Sequence, residues 1–136
     1  MPILKYTQLL FYYSIIFITG CTTFQNLNVE SDLKKAENLR REQTLDLTIP
    51  EIQKIMFDYS IKCVKQNSFI IDPKNEKLGF MSFQSMGLTQ ENVGTLIEFS
   101  QKNNETELKG YSYYEHWAKI HIDKTIRILQ NPGVCL

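Results

Sequence analysis

The chain has few of the residues that do chemistry and no excess of charge. Fifteen Lys and Arg against fifteen Asp and Glu give a formal net charge of zero. Without a basic excess nothing neutralises a phosphate backbone, so nucleic acid is not an expected partner. There are two histidines, His116 and His121. A spacing of five turns the second about 140° around a helix from the first, whereas zinc-binding pairs sit three or four apart on one face. No metal or other cofactor is expected. The sequence holds no Gly-rich phosphate loop, no Gly-x-Ser-x-Gly elbow and no Cys-x-x-Cys pair, so it offers no recognisable catalytic constellation and reads as non-enzymatic. Internal repeats and low-complexity tracts are absent too. The apolar stretch Leu9–Ile18 covers ten positions broken only by Ser14, well short of the roughly 20 that an ordinary membrane helix needs.

What is present begins at the N-terminus. Lys5 is the only early charge, the apolar stretch follows, and Ile18-Thr19-Gly20-Cys21 closes it. A positive start, a short apolar core and a small residue before a cleavage point make a secretory signal. Its last four residues resemble the lipobox of bacterial lipoprotein precursors: an aliphatic residue, a small residue, Gly or Ala, then Cys. The resemblance covers residues 1–21 and no more. It implies that residues 1–20 are removed, that the Cys21 thiol takes a diacylglyceryl group, and that the new amine is acylated. Each buried CH₂ would contribute about 0.8 kcal/mol, and two or more acyl chains hold a protein stably on a membrane. The same resemblance implies a bacterial envelope. In enteric-type bacteria an Asp after the cysteine favours the inner membrane; Thr22 points instead to the outer membrane, facing the periplasm. The mature chain would be Cys21 to Leu136, 136 − 20 = 116 residues, with 14 basic and 15 acidic side chains once Lys5 is gone. With Cys21 lipidated, Cys63 and Cys135 remain as an even pair in an oxidising compartment, which makes them disulfide candidates. The loop closed would span 135 − 63 = 72 intervals, worth about 4 kcal/mol in the chain-entropy model. Two buried free thiols are the alternative.

Residues 21–47 are polar after the lipid site, and Leu33 and Leu39 are the only sizeable apolar residues of the charged run 31–42. That stripe is too thin to dock a helix, so 21–47 is expected to be a flexible tether. The domain is expected over 48–136. Thr48, Pro50 and Glu51 suit a helix start, and Ile52, Ile55, Met56, Tyr59 and Cys63 continue a helical stripe toward an end at Gln66-Asn67. Short strands are expected at 68–72 and 78–84 around an Asp72-Pro73 turn, with a loop over 85–92 around Gly87. Residues 93–101 alternate, as do 106–114, with Lys102-Asn103-Asn104-Glu105 as a hairpin turn. Trp117, Ile120, Ile122, Ile126 and Leu129 then mark a helix over 115–131, stopped by Pro132-Gly133. The order α-β-β-β-β-α predicts an α+β two-layer sandwich: an antiparallel sheet of about four strands with both helices on one face.

Tyr111 and Tyr113 are the candidate partner-binding residues. They alternate with Leu108; if Leu108 faces the helices, they face water or a partner, and polar-tipped aromatics suit binding surfaces. Strand propensity and cross-strand packing against Phe99 or Ile97 are the plainer explanation of them. A lipid-anchored module that binds another envelope protein or assists assembly is the expected function. Two alternatives stay open. One is a small-ligand or lipid binder, with Phe80, Phe83, Phe99 and Trp117 around a cavity; the other is a cell-wall hydrolase carried by Glu98 or Glu107.

Overall fold

The computed structural model describes residues 32–63, 68–84 and 93–136. The expected signal, the lipobox with Cys21, the expected helix end at Gln66-Asn67 and the expected loop over 85–92 lie outside the described residues. Among the described residues, five strands and two helices follow one another as β1 (Leu39–Leu45), α1 (Ile49–Lys62), β2 (Ile70–Asp72), β3 (Asn75–Gln84), β4 (Val93–Lys102), β5 (Glu105–Ser112) and a C-terminal helix, α2, from Glu115 to Gln130. The strands form one antiparallel sheet in the order β1-β5-β4-β3-β2.

β1 corrects the expected tether. A 3-10 turn, Ala36–Asn38, leads into it, and it pairs with β5 from Leu39↔Tyr111 to Leu45↔Thr106. The ordered domain thus takes in part of 21–47, and the sheet has five strands rather than about four. Sequence reasoning missed β1 because its core-facing positions include Arg41 and Gln43, set opposite Gly110 and Leu108. Arg, Glu and Gln are also good helix formers, so local propensity pointed the wrong way. Arg41 can face inward because its charge is answered there. Its Nε donates to Asp123 Oδ1 at 2.7 Å, and its Nη2 donates to Asp123 Oδ2 at 3.0 Å and Glu115 Oε1 at 2.6 Å. The residue before it, Arg40, sits at a register shift and donates to the Ser112 and Tyr113 carbonyls, both at 2.9 Å.

α1 starts as its sequence indicates. The Glu51 carboxylate accepts both the backbone N–H and the hydroxyl of Thr48 at 2.7 Å. The N–H of Ile49, which the helix cannot use, donates to Gln101 Oε1 at 2.8 Å,. Ile49, Ile52, Met56 and Tyr59 are buried along one side. α2 is built from an α turn (Glu115–Trp117), a π-helical stretch (Ala118–Asp123) and an α-helical stretch (Lys124–Gln130). A π turn takes an extra residue and resets the phase of the stripe. The residues it buries are Ala118, Ile122, Thr125, Ile128 and Leu129, while Ile120 is 44% exposed. Ile122 and Leu129 of the expected stripe are confirmed, and Ile120 is not part of it.

Both helices cover the same sheet face. The core joins Ile52, Met56 and Tyr59 of α1 and Ala118, Ile122 and Ile128 of α2 to Met81, Phe83, Ile97, Phe99 and Leu108 of the sheet. Cys63 and Cys135 form a disulfide, with Cα atoms 5.4 Å apart. Beside it the Tyr59 hydroxyl accepts from the Leu136 N–H at 3.1 Å and donates to the Leu136 carbonyl at 3.2 Å. The segment after α2 is thereby pinned to the end of α1. Two turns follow their residues closely. Asp72 Oδ1 accepts from the Lys74 N–H at 2.7 Å, and Asn103 takes φ 57° between β4 and β5, a conformation Asn tolerates.

Candidate functional site: the helix-free face of the sheet

Alternation sends every second side chain of β3, β4 and β5 away from the helices. The strand register then builds three cross-strand rows on the outer face. One runs Ser82–Leu96–Tyr111–Leu39, the next Ile70–Phe80–Glu98–Lys109–Glu42, the third Leu78–Ser100–Glu107–Thr44. These rows enclose a concavity of about 530 Å³, bordered by Leu78, Phe80, Leu96 and Tyr111 as well as Glu98, Glu107 and Lys109. Apolar and charged side chains share its lining, the charged ones on the middle and lower rows, and Leu96 is buried.

The segment before β1 crosses one end of this face. The Tyr113 hydroxyl donates to Asp32 Oδ2 at 3.3 Å, Lys34 pairs with Glu98, and Leu33 is fully buried outside the helix-side core. Lys34 also borders the concavity. Lys109 sits between two carboxylates, 3.2 Å from Glu42 and 3.5 Å from Glu107. Those two neighbours, Glu42 first, raise the pKa of the Lys109 ammonium.

The sequence-predicted residues separate on this frame. Tyr111 is half-buried on the helix-free face, and burial, then the Glu98 charge, raises its phenol pKa. Tyr113 is also half-buried, but its hydroxyl is taken up by Asp32; burial followed by that carboxylate raises its pKa. Phe80 and Phe99 border the concavity, while Phe83 and Trp117 do not. Phe83 stacks on His121 with centroids 4.3 Å apart, and Trp117 packs edge-on against Tyr114 at 4.9 Å. The four aromatics therefore line no common cavity. Glu98 and Glu107 do share the concavity, each paired with a lysine. His116 is exposed; His121 is half-buried, and burial, then Lys124, lowers its pKa. Among the described residues no group of three or more His, Cys, Asp or Glu side chains could hold a metal ion, and no helix is long and apolar enough to cross a membrane.

Lys34 and Glu42 belong to this face and were hidden in the expected tether. The signal for Glu42 was the two-residue alternation Arg41, Gln43, Leu45, legible only once polar residues are allowed to face a core; the register shift between Leu39 and Arg41 puts Leu39 on the other face. Nothing local marks Lys34, because its partner Glu98 is far along the chain. Comparison with protein-family models, curated proteins and solved structures finds no match.

Proposed function

We propose that the chain is a lipid-anchored envelope lipoprotein whose domain is a non-enzymatic protein-binding module, an accessory to the assembly of other envelope components. Cys21 carries the lipid, and the outer membrane facing the periplasm is the location the signal supports. The observation that carries the binding role is the asymmetry of the sheet. Both helices pack on one face, and the other presents a concavity bordered by Leu78, Phe80 and Tyr111 together with Glu98, Glu107 and Lys109. Apolar surface with a polar rim is the usual composition of a contact patch. The lysine partners of Glu98 and Glu107 favour recognition over hydrolysis, because each carboxylate is already engaged by a cation.

The test is a photo-crosslinking residue at position 111 of the full chain in its native membrane, with Phe80→Ser as control. A discrete protein adduct that Phe80→Ser removes is the expected result. An adduct pattern unchanged by Phe80→Ser, or none at all, would show that this face is not the contact surface.

A further inference from the structure

The outer surface of the helix layer carries a charge of its own. On α2, Lys119 and Arg127 are exposed and Lys124 is half-buried. Among the described residues none of the three makes an ion pair. The two acids of this helix, Glu115 and Asp123, are both engaged by Arg41. With Arg41 included, α2 has four cations against two carboxylates, a local excess of two positive charges. α1 is balanced, with Lys54 and Lys62 against Glu51 and Asp58. Around the concavity on the other side of the sheet the sign is reversed: Lys34 and Lys109 stand against Asp72, Glu98 and Glu107, and Glu42 lies beside Lys109. A chain of zero formal net charge is thus electrically two-sided.

The same surface exposes apolar side chains that the core does not use. Tyr114 is 62% exposed and packs edge-on against the Trp117 ring, and Ile120 is exposed beside them on α2. On α1, Phe57 and Ile61 are 63% and 68% exposed. Four residues apart, they lie one above the other on one side of the helix, while Ile52, Met56 and Tyr59 are buried on the opposite side. α1 and α2 pack against each other on the sheet, so these residues share one outward surface. They stand on the convex sides of two helices, not in a groove. Such side chains suit the boundary between lipid headgroups and acyl chains, where Tyr and Trp keep a polar tip in water and lysine stems lie along apolar surface.

We infer that the outer surface of α2, with Phe57 and Ile61 of α1 beside it, rests on the headgroups of an anionic phospholipid leaflet, where Lys119, Lys124 and Arg127 meet lipid phosphates. This rests on the lipid-anchored reading above and adds an orientation to it. The helix layer faces the membrane, and the concavity faces away, open to a protein partner. Charge decides between the two faces, because an anionic leaflet attracts the helix side and repels the concavity. Each cation brought to such a surface favours contact by roughly fivefold, so an excess of two favours this orientation by about 25-fold. That is little for a free protein but enough to orient one already tethered. Asp32 lies 32 − 21 = 11 positions after Cys21, a covalent reach of roughly 37 Å. A domain of this size is about 34 Å across, so the anchor permits this orientation although Asp32 is bonded to Tyr113 at the far side of the sheet.

The experiment reconstitutes the lipidated mature protein in phosphatidylcholine vesicles with or without phosphatidylglycerol. A photo-crosslinking residue is placed in turn at positions 61, 120 and 44. Ile61 and Ile120 belong to the proposed contact, and Thr44 is exposed on the other face of the sheet. With phosphatidylglycerol, positions 61 and 120 are expected to give about tenfold more lipid adduct than position 44, and high salt should shrink that ratio. Without phosphatidylglycerol the ratio should fall several-fold, a test of charge that needs no substitution. Lys119→Glu with Arg127→Glu, both at exposed positions, should bring it close to one. Equal labelling at all three positions, a protein adduct in place of lipid at 61 or 120, or a ratio indifferent to phosphatidylglycerol or to charge reversal would each overturn the inference. The mass of the chain separates the two failures. If Cys21 is acylated and labelling shows no preference, the orientation is wrong and the anchor stands. If Cys21 bears no acyl group, the anchor reading fails and the inference with it.

Discussion

Gly110 marks the closest approach of α2 to the sheet. A Cβ there would stand 2.5 Å from Ile122 Cγ2 and 2.8 Å from its Cδ1. Ile122 is fully buried and branched at Cβ, so it has little room to turn aside,. Gly110→Ala is expected to destabilise the domain by about 1–3 kcal/mol, the usual penalty for overpacking. A urea titration measures it. Gly79 makes a useful comparison, because its added Cβ would meet the far end of the Phe69 ring. That ring is only half-buried, so Gly79→Ala should cost less. His121 supplies a pH dependence. Burial against Phe83, with Lys124 nearby, holds its folded pKa below that of the unfolded imidazole. The unfolded chain then takes up the proton first as pH falls. The contribution of neutral His121 is complete above about pH 6.5 and is lost as pH falls from there through the folded pKa. Melting temperature should drop over that window, and His121→Gln should flatten the drop. An unchanged slope in the variant would show that His121 is not the group responsible.

The elements show how far the sequence could be read. The β4–β5 hairpin was fully legible: Thr95, Ile97, Phe99 and Leu108 face the helices, the residues between them face away, and Asn103 turns the chain. α1 was legible from Thr48, Glu51 and its apolar stripe. β1 was not, because strand patterning assumes an apolar inner face and Arg41 breaks it, and the acids that satisfy Arg41 lie on α2, remote in sequence. The phase of α2 was lost for a different reason: the π turn over Ala118–Asp123 shifts the stripe and sets Ile122 against Gly110, a contact remote in sequence that no local periodicity records. The outer face was half legible, since Tyr111 follows from Leu108 while Lys34 and Glu42 depend on β1 being a strand. The Arg41 contacts make β1 testable. Hydrogen bonds to charged groups contribute about 1.5–3 kcal/mol when well placed, less at partial exposure. Arg41→Gln is expected to cost about 1–2 kcal/mol and to speed hydrogen exchange in β1 more than in β3 and β4. Uniform exchange across the sheet would contradict a docked β1.

On the scale of the whole molecule, the Cys63–Cys135 bond and the lipid proposed at Cys21 bear on the same compartment. The disulfide ties the segment after α2 to α1 across 72 positions. Reduction should lower stability by about 2–4 kcal/mol and release residues 132–136 to fast exchange, with the sheet still formed. The proposed lipid at Cys21 would decide where all of this happens. The most direct measurement is the intact mass of the protein isolated from its native membrane, with and without reduction. The account predicts a chain that begins at Cys21, carries the added mass of its acyl groups, and gains two protons on reduction. A chain that keeps residues 1–20, bears no lipid, and shows free thiols before reduction would contradict the envelope assignment, and the proposed partner with it.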